Sequence, residues 1–139
     1  MESRPLEWEE LLTSVRHGLP QPVREETALD GSTVIIGGDP PEVVVRLTGA
    51  SLTVSEYALE WPGPLDAVPA PIKLGSLRWP RLPGVLALRV IDALVAAARD
   101  LRRSTYAMCL SCDRLQPPEA MQDDEVCREC ARAHPEPSA

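Results

Sequence analysis

Four cysteines, set as two CxxC pairs, constrain this 139-residue chain more than any other feature. Cys109-Leu110-Ser111-Cys112 and Cys127-Arg128-Glu129-Cys130 are separated by fourteen residues, and no other cysteine is present. A CxxC pair can turn two thiolates toward one point in a tight knuckle. Two such pairs close a tetrahedral shell of sulfurs about 2.3 Å from a metal ion. The spacing therefore predicts one structural Zn2+ held by Cys109, Cys112, Cys127 and Cys130. A filled thiolate shell leaves no position for an activated water, so metal-assisted hydrolysis is not expected. The competing reading is thiol–disulfide chemistry. It needs a CxxC that follows a strand and opens a long helix within a βαβ unit, and neither pair has that setting.

The spacer, Asp113 to Val126, is long enough for a small hairpin or loop. Ala131-Arg132-Ala133-His134 suits the start of a short helix, which would place the second pair at a helix N-terminus, as in a treble clef. Arg114, Arg128 and Arg132, or backbone N–H groups, could moderate the formal −2 charge that four thiolates and one Zn2+ would carry. Metal binding on the order of 10 kcal/mol would do most of the folding of an appendage with so few apolar residues.

Tyr106-Ala107-Met108-Cys109-Leu110-Ser111-Cys112-Asp113-Arg114-Leu115, then Pro118, then Cys127-Arg128-Glu129-Cys130, resembles the C-terminal zinc finger of DksA/TraR-type proteins. That finger has a Tyr before its first CxxC, an Arg-Leu and a Pro in its spacer, and a second CxxC opening a helix. Where that family carries Gly after the second cysteine, this chain has Asp113. The coiled-coil hairpin that precedes the family's finger is replaced here by strand-like sequence and one helix. The resemblance thus implies metal-ligand roles for Cys109, Cys112, Cys127 and Cys130 and nothing about RNA polymerase.

The strand signal begins at Thr33. Thr33–Ile36 is a short β-branched run, and Gly37-Gly38-Asp39-Pro40-Pro41 breaks it as a turn rather than a phosphate cradle. Glu42–Thr48 alternates, with Val43, Val45 and Leu47 on one face. Gly49-Ala50 is expected to form a two-residue type II′ hairpin turn, with Gly where that turn requires it. In Ser51–Trp61, Leu52 and Val54 share one face while Tyr57, Leu59 and Trp61 share the other. One extra residue near Ser55-Glu56 would restore the phase, which predicts a bulge. Residues 62–71 hold four prolines and read as a stiff loop, and Ile72–Trp79 reads as an edge-like fourth strand.

Two helices flank these strands. Residues 5–17 read as a short helix with Pro5 in its first turn, and residues 18–32 as loop. Gly84–Arg103 reads as the main helix. Leu86, Val90, Leu94, Ala97 and Leu101 form one apolar row, and Leu88, Ile91, Val95 and Ala98 an adjoining one. So wide an apolar arc requires a contact besides the sheet: the N-terminal helix, the zinc module, or another subunit in a homodimer. The expected fold class is α+β, an antiparallel sheet of three to four strands packed by helices, with a C-terminal zinc-finger module. The expected divisions are 1–105 for the α+β domain, 106–134 for the zinc-finger module and 135–139 for a disordered tail.

Charge narrows the partners. A net charge of −7 disfavours general nucleic-acid binding, because an acidic protein gains little from counterion release. Residues 73–103 are locally basic, however, and Arg99, Arg102 and Arg103 would carry any nucleic-acid face. Tyr57, Trp61 and Trp79 with Arg78 and Arg81 could form a stacking or docking patch; the plainer reading puts Trp61 and Trp79 over the core edge. His17 suits a helix C-terminus, and His134 could at most substitute for a cysteine ligand. Glu9/Glu10 and Glu25/Glu26 read as solvated acids. No run of eighteen apolar residues occurs, and the Met1–Pro5 stretch lacks the apolar core of a signal peptide, so no membrane role and a cytoplasmic setting with reduced thiols are expected. Together these features predict a non-enzymatic, zinc-binding protein-interaction or regulatory module. A nucleic-acid-binding finger and a thiol–disulfide protein are the alternatives.

Overall fold

The computed structural model describes residues 4–64 and 66–133. It divides into two compact units with the boundary between Arg102 and Arg103. The 135–139 tail and His134 lie outside the described residues.

The first unit opens with helix α1 (Trp8–Gly18). It starts three residues later than the Pro5 reading placed it, because the Glu10 carboxylate accepts the Glu7 N–H at 3.1 Å and sets the N-terminus there. Arg4 grips the same carboxylate at 2.6 and 3.0 Å. Leu11, Leu12 and Val15 face the core.

Strands follow in the order β1 (Val23–Thr27), β2 (Thr33–Gly37), β3 (Val43–Leu47), β4 (Leu52–Glu56), β5 (Leu59–Gly63), β6 (Asp66–Pro69) and β7 (Ile72–Leu77). The main sheet is antiparallel and ordered β1-β2-β3-β4-β7. The α+β class therefore holds, with five strands rather than three to four. The added strand is β1, which sequence reading assigned to loop. Arg24, Glu25, Glu26 and Thr27 are all exposed, so it shows no apolar alternation; five paired residues with β2 are what make it a strand.

Two further corrections concern the third run and the proline segment. Ser51–Trp61 is not one strand: β4 ends at Glu56, and the chain turns off into β5, which pairs with β6 as a separate hairpin. That hairpin occupies most of the segment expected to be a stiff loop. The bulge falls where the phase change pointed, at Val54/Ser55, but the extra residue is on the neighbouring strand. Val54 pairs with Gly75 and Ser55 with Lys73, leaving Leu74 of β7 over.

The β3–β4 hairpin forms with Leu47 opposite Leu52, yet its turn is not type II′. The glycines with positive φ are Gly31 and Gly38, not Gly49. The turn is closed by a side chain: the Thr48 hydroxyl accepts the Ala50 and Ser51 N–H groups at 3.1 and 3.0 Å. Gly38, at φ 103°, turns the chain after β2 as expected.

Helix α2 spans Gly84–Arg103, as its periodicity predicts. Its core face is Ala87, Ile91, Val95, Ala98 and Arg102. The Leu88–Ala98 row thus supplies the inward residues Ile91, Val95 and Ala98, whereas Leu86 and Leu101 of the other row stay nearly half exposed. These residues, those of α1, and Ile35, Val43, Val45, Leu47, Leu52 and Val54 make one core. Each fully buried aliphatic chain contributes about 1.5–3 kcal/mol. Trp79 closes one end, with its Nε1–H donating to Thr48 O at 2.9 Å and its ring 6.1 Å from that of Trp8.

In the second unit, β8 (Ala107–Met108) pairs with β9 (Leu115–Gln116), and helix α3 (Arg128–Ala133) follows. A single bridge joins Met121 and Cys127. Cys109, Pro117 and Cys127 are its buried apolar residues among those described.

Candidate metal centre

Two local structures aim the thiols. The first is the turn between β8 and β9. Cys109 N–H donates to Arg114 O at 3.0 Å and Asp113 N–H to Cys109 O at 2.9 Å, which folds Cys112 back beside Cys109. Asp113 takes φ 57°, a left-handed conformation that Asp tolerates better than most residues. The second structure is the start of α3. Cys127 precedes it and accepts the Ala131 N–H at 2.9 Å, and Cys130 lies one turn on.

The four Sγ atoms lie within 4.8 Å of one another, Cys109 and Cys127 buried, Cys112 and Cys130 half-buried. A tetrahedron with metal–sulfur bonds near 2.3 Å has edges of about 3.8 Å. The cluster is within about an ångström of that size, and the donor set is the soft one that borderline and soft ions prefer. The four cysteines can hold one metal ion.

The electrostatics point the same way. The Cys127 N–H donates to Cys109 Sγ at 3.3 Å and is the largest cause pulling that thiol down to about 6. The Arg114 side chain and N–H lower Cys112. Cys130 is pushed up to about 12, first by the sulfur of Cys127, then by burial and the other two thiols. Opposed shifts are what four thiols converging on one point must show: the first ionises readily, and the last faces sulfurs that already carry charge. A divalent cation at their centre removes that conflict.

Sequence reading anticipated backbone N–H donors to the sulfurs without naming which, and it missed the roles of two residues. Asp113 sets the knuckle, the Cys127 N–H binds Cys109 Sγ, and Gln116 Nε2 reaches Cys112 Sγ at 4.0 Å. Of the three arginines expected to moderate the charge, Arg114 does so. Arg128 Nε instead donates to Met121 O at 3.4 Å.

The other candidates are scattered. Arg102 is buried, donating to Pro41 O at 2.9 Å with its guanidinium 5.0 Å over the Tyr57 ring. Arg99 stands 3.6 Å from the buried Glu42 carboxylate. Neither side chain projects freely from a basic face. Trp79 is in the core and Tyr57 lies beneath Arg102, while Trp61 is exposed on β5, so they form no common patch. His17 is in the last turn of α1. Glu10 is engaged by Arg4 and Glu25 by Arg16. No helix among the described residues is long and apolar enough to cross a membrane.

No protein-family model, curated protein or solved structure matches the chain. The class that fold and site define is an α+β protein with a C-terminal four-cysteine cluster able to hold one metal ion.

Proposed function

We propose that the cluster is a structural zinc site holding one Zn2+ per chain, and that the protein is a non-enzymatic, cytoplasmic protein-interaction or regulatory module. The observation that carries the reading is the convergence of four thiols within 4.8 Å. Four cysteines complete the shell of a tetrahedral ion and leave none of its positions to a substrate or an activated water. The metal's work is then to fold the second unit, which buries almost no apolar surface of its own.

Elemental analysis of protein purified without chelator tests the site, with one zinc per chain expected. A reduced, metal-free second unit that stays folded would overturn it. The non-enzymatic reading is checked by a dithiol turnover assay with insulin as substrate: sustained turnover at the CxxC pairs would replace it with a redox function. Cross-linking in the native host, with and without chelator, tests for a partner that requires the folded second unit.

A further inference from the structure

The apolar arc of α2 is wider than the core it covers, and three contacts fix which side is left over. Asp92 Oδ1 stands 3.7 Å from where a Cβ on Gly18 would project, so that flank faces α1. Arg99 reaches Glu42, just before β3. On the opposite flank Leu94 lies on Gly75 of β7; a Cβ there would come within 2.9 Å of its Cδ2. At 100° per residue, the positions past Leu94 are Leu101, Val90, Ala97, Leu86 and Ala93. Leu86, Ala93 and Ala97 are exposed and Val90 is half-buried.

This flank overhangs an open sheet edge. Among the described residues β7 pairs only with β4. The other edge strand, β1, guards itself with exposed Arg24, Glu25 and Glu26. In contrast, β7 runs Ile72-Lys73-Leu74-Gly75-Ser76-Leu77, with one charge and with Ile72 52% exposed. An edge so lightly protected, beside an apolar helix flank, is a template for another strand.

The charges bordering the flank identify the occupant. Arg89 and Asp100 lie on its solvent side, and neither makes an ion pair within the chain among the described residues. In an antiparallel pair of α2 helices centred between Leu94 and Val95, Arg89 of each copy faces Asp100 of the other. The alanines at the centre permit close approach. Gly75, in the middle of β7, lies beneath Leu94, so a two-fold axis that pairs the helices also pairs the two β7 edges.

We propose that the β7 edge and the Leu86–Ala97 flank of α2 form a two-fold self-association surface, whose partner is a second copy of this chain. The contact is isologous and closed, so it predicts dimers rather than filaments. It belongs to the first unit and is independent of the metal reading.

Sedimentation velocity on the full metal-loaded chain, across micromolar concentrations, tests this. Wild type is expected to be dimeric. Arg89→Asp and Asp100→Arg should each raise the dissociation constant about tenfold or more, because each change places two like-charge pairs at the interface. The double swap should return it toward the wild-type value. Ala97→Arg should give a monomer with an unchanged circular dichroism spectrum and faster amide exchange along β7. A wild-type chain monomeric throughout the range overturns the proposal, as does a dimer indifferent to both single swaps.

Discussion

Replacing Cys127 by Ser removes one sulfur and almost no volume, and the structure predicts a large, local loss. Cys127 is 1% exposed, and with Cys109 and Pro117 it makes up the buried apolar content described in the second unit. With so little apolar burial, the proposed site makes metal–sulfur bonding, on the order of 10 kcal/mol for four thiolates, the main source of that unit's stability. A hydroxyl is a poor replacement for a thiolate, and a shell of three thiolates retains too little of that energy to order some twenty-five residues against backbone entropy of about 1 kcal/mol each. The first unit should not respond, because its core runs from Leu11 to Ala98 and contains no cysteine. The assay is a two-dimensional amide NMR spectrum of Cys127→Ser beside wild type. Resonances of residues 107–133 should collapse to unstructured positions, while those of Trp8–Arg102 stay in place. Dispersed second-unit resonances in the variant, or in reduced wild type stripped of metal, would refute the reasoning.

Three other perturbations have defined outcomes. Arg102→Ala should destabilise the first unit by about 3–5 kcal/mol in urea unfolding, because it empties a buried site, strands the Pro41 carbonyl and removes the cation over Tyr57; a loss under about 1 kcal/mol would contradict that account. Asp113→Gly should tighten zinc binding several-fold in a competition titration, since Gly relieves a left-handed backbone at φ 57° that costs a side-chain-bearing residue about 1 kcal/mol; weaker binding would show that the Asp side chain matters more than its backbone. Zinc affinity should rise with pH. The depressed Cys109 thiol favours the folded site fully above the ordinary value of 9.0 and ceases to do so as pH falls through about 6, whereas Cys130, raised to about 12, must surrender its proton to the metal at neutral pH. An affinity that is flat between pH 6 and 9 would contradict this.

What was legible in the chain follows from which forces act locally. The limits of α2 could be read because twenty residues repeat a 3.6-residue pattern, and the convergence of the four cysteines because two CxxC pairs can each turn both sulfurs toward one point. The strand β1 could not, because Val23–Thr27 owes its conformation to pairing with β2, and neither face of it is apolar. The β3–β4 turn was misread for a related reason. Gly49 permits a type II′ turn, but Thr48 supplies a side-chain acceptor that closes a different one. Arg102 is the sharpest case. An arginine at the end of an amphipathic helix reads as solvated, and only the tertiary fold shows a carbonyl and an aromatic ring waiting for it.

If burial holds the first unit and metal bonding the second, as proposed above, the function is separable by experiment. The first unit keeps its order through apolar contacts that no chelator touches. On the proposed structural-zinc reading, the second loses its order when the sulfurs lose their ion. A partner bound by the second unit must therefore be released by chelation and recaptured on adding zinc. A partner bound by the first unit, a second copy included, must remain through that cycle and respond instead to Arg89→Asp or Ala97→Arg. The same pull-down, run across both perturbations, assigns each partner to a surface before its identity is known. A partner lost only when both perturbations are combined would mean that either unit alone suffices to hold it.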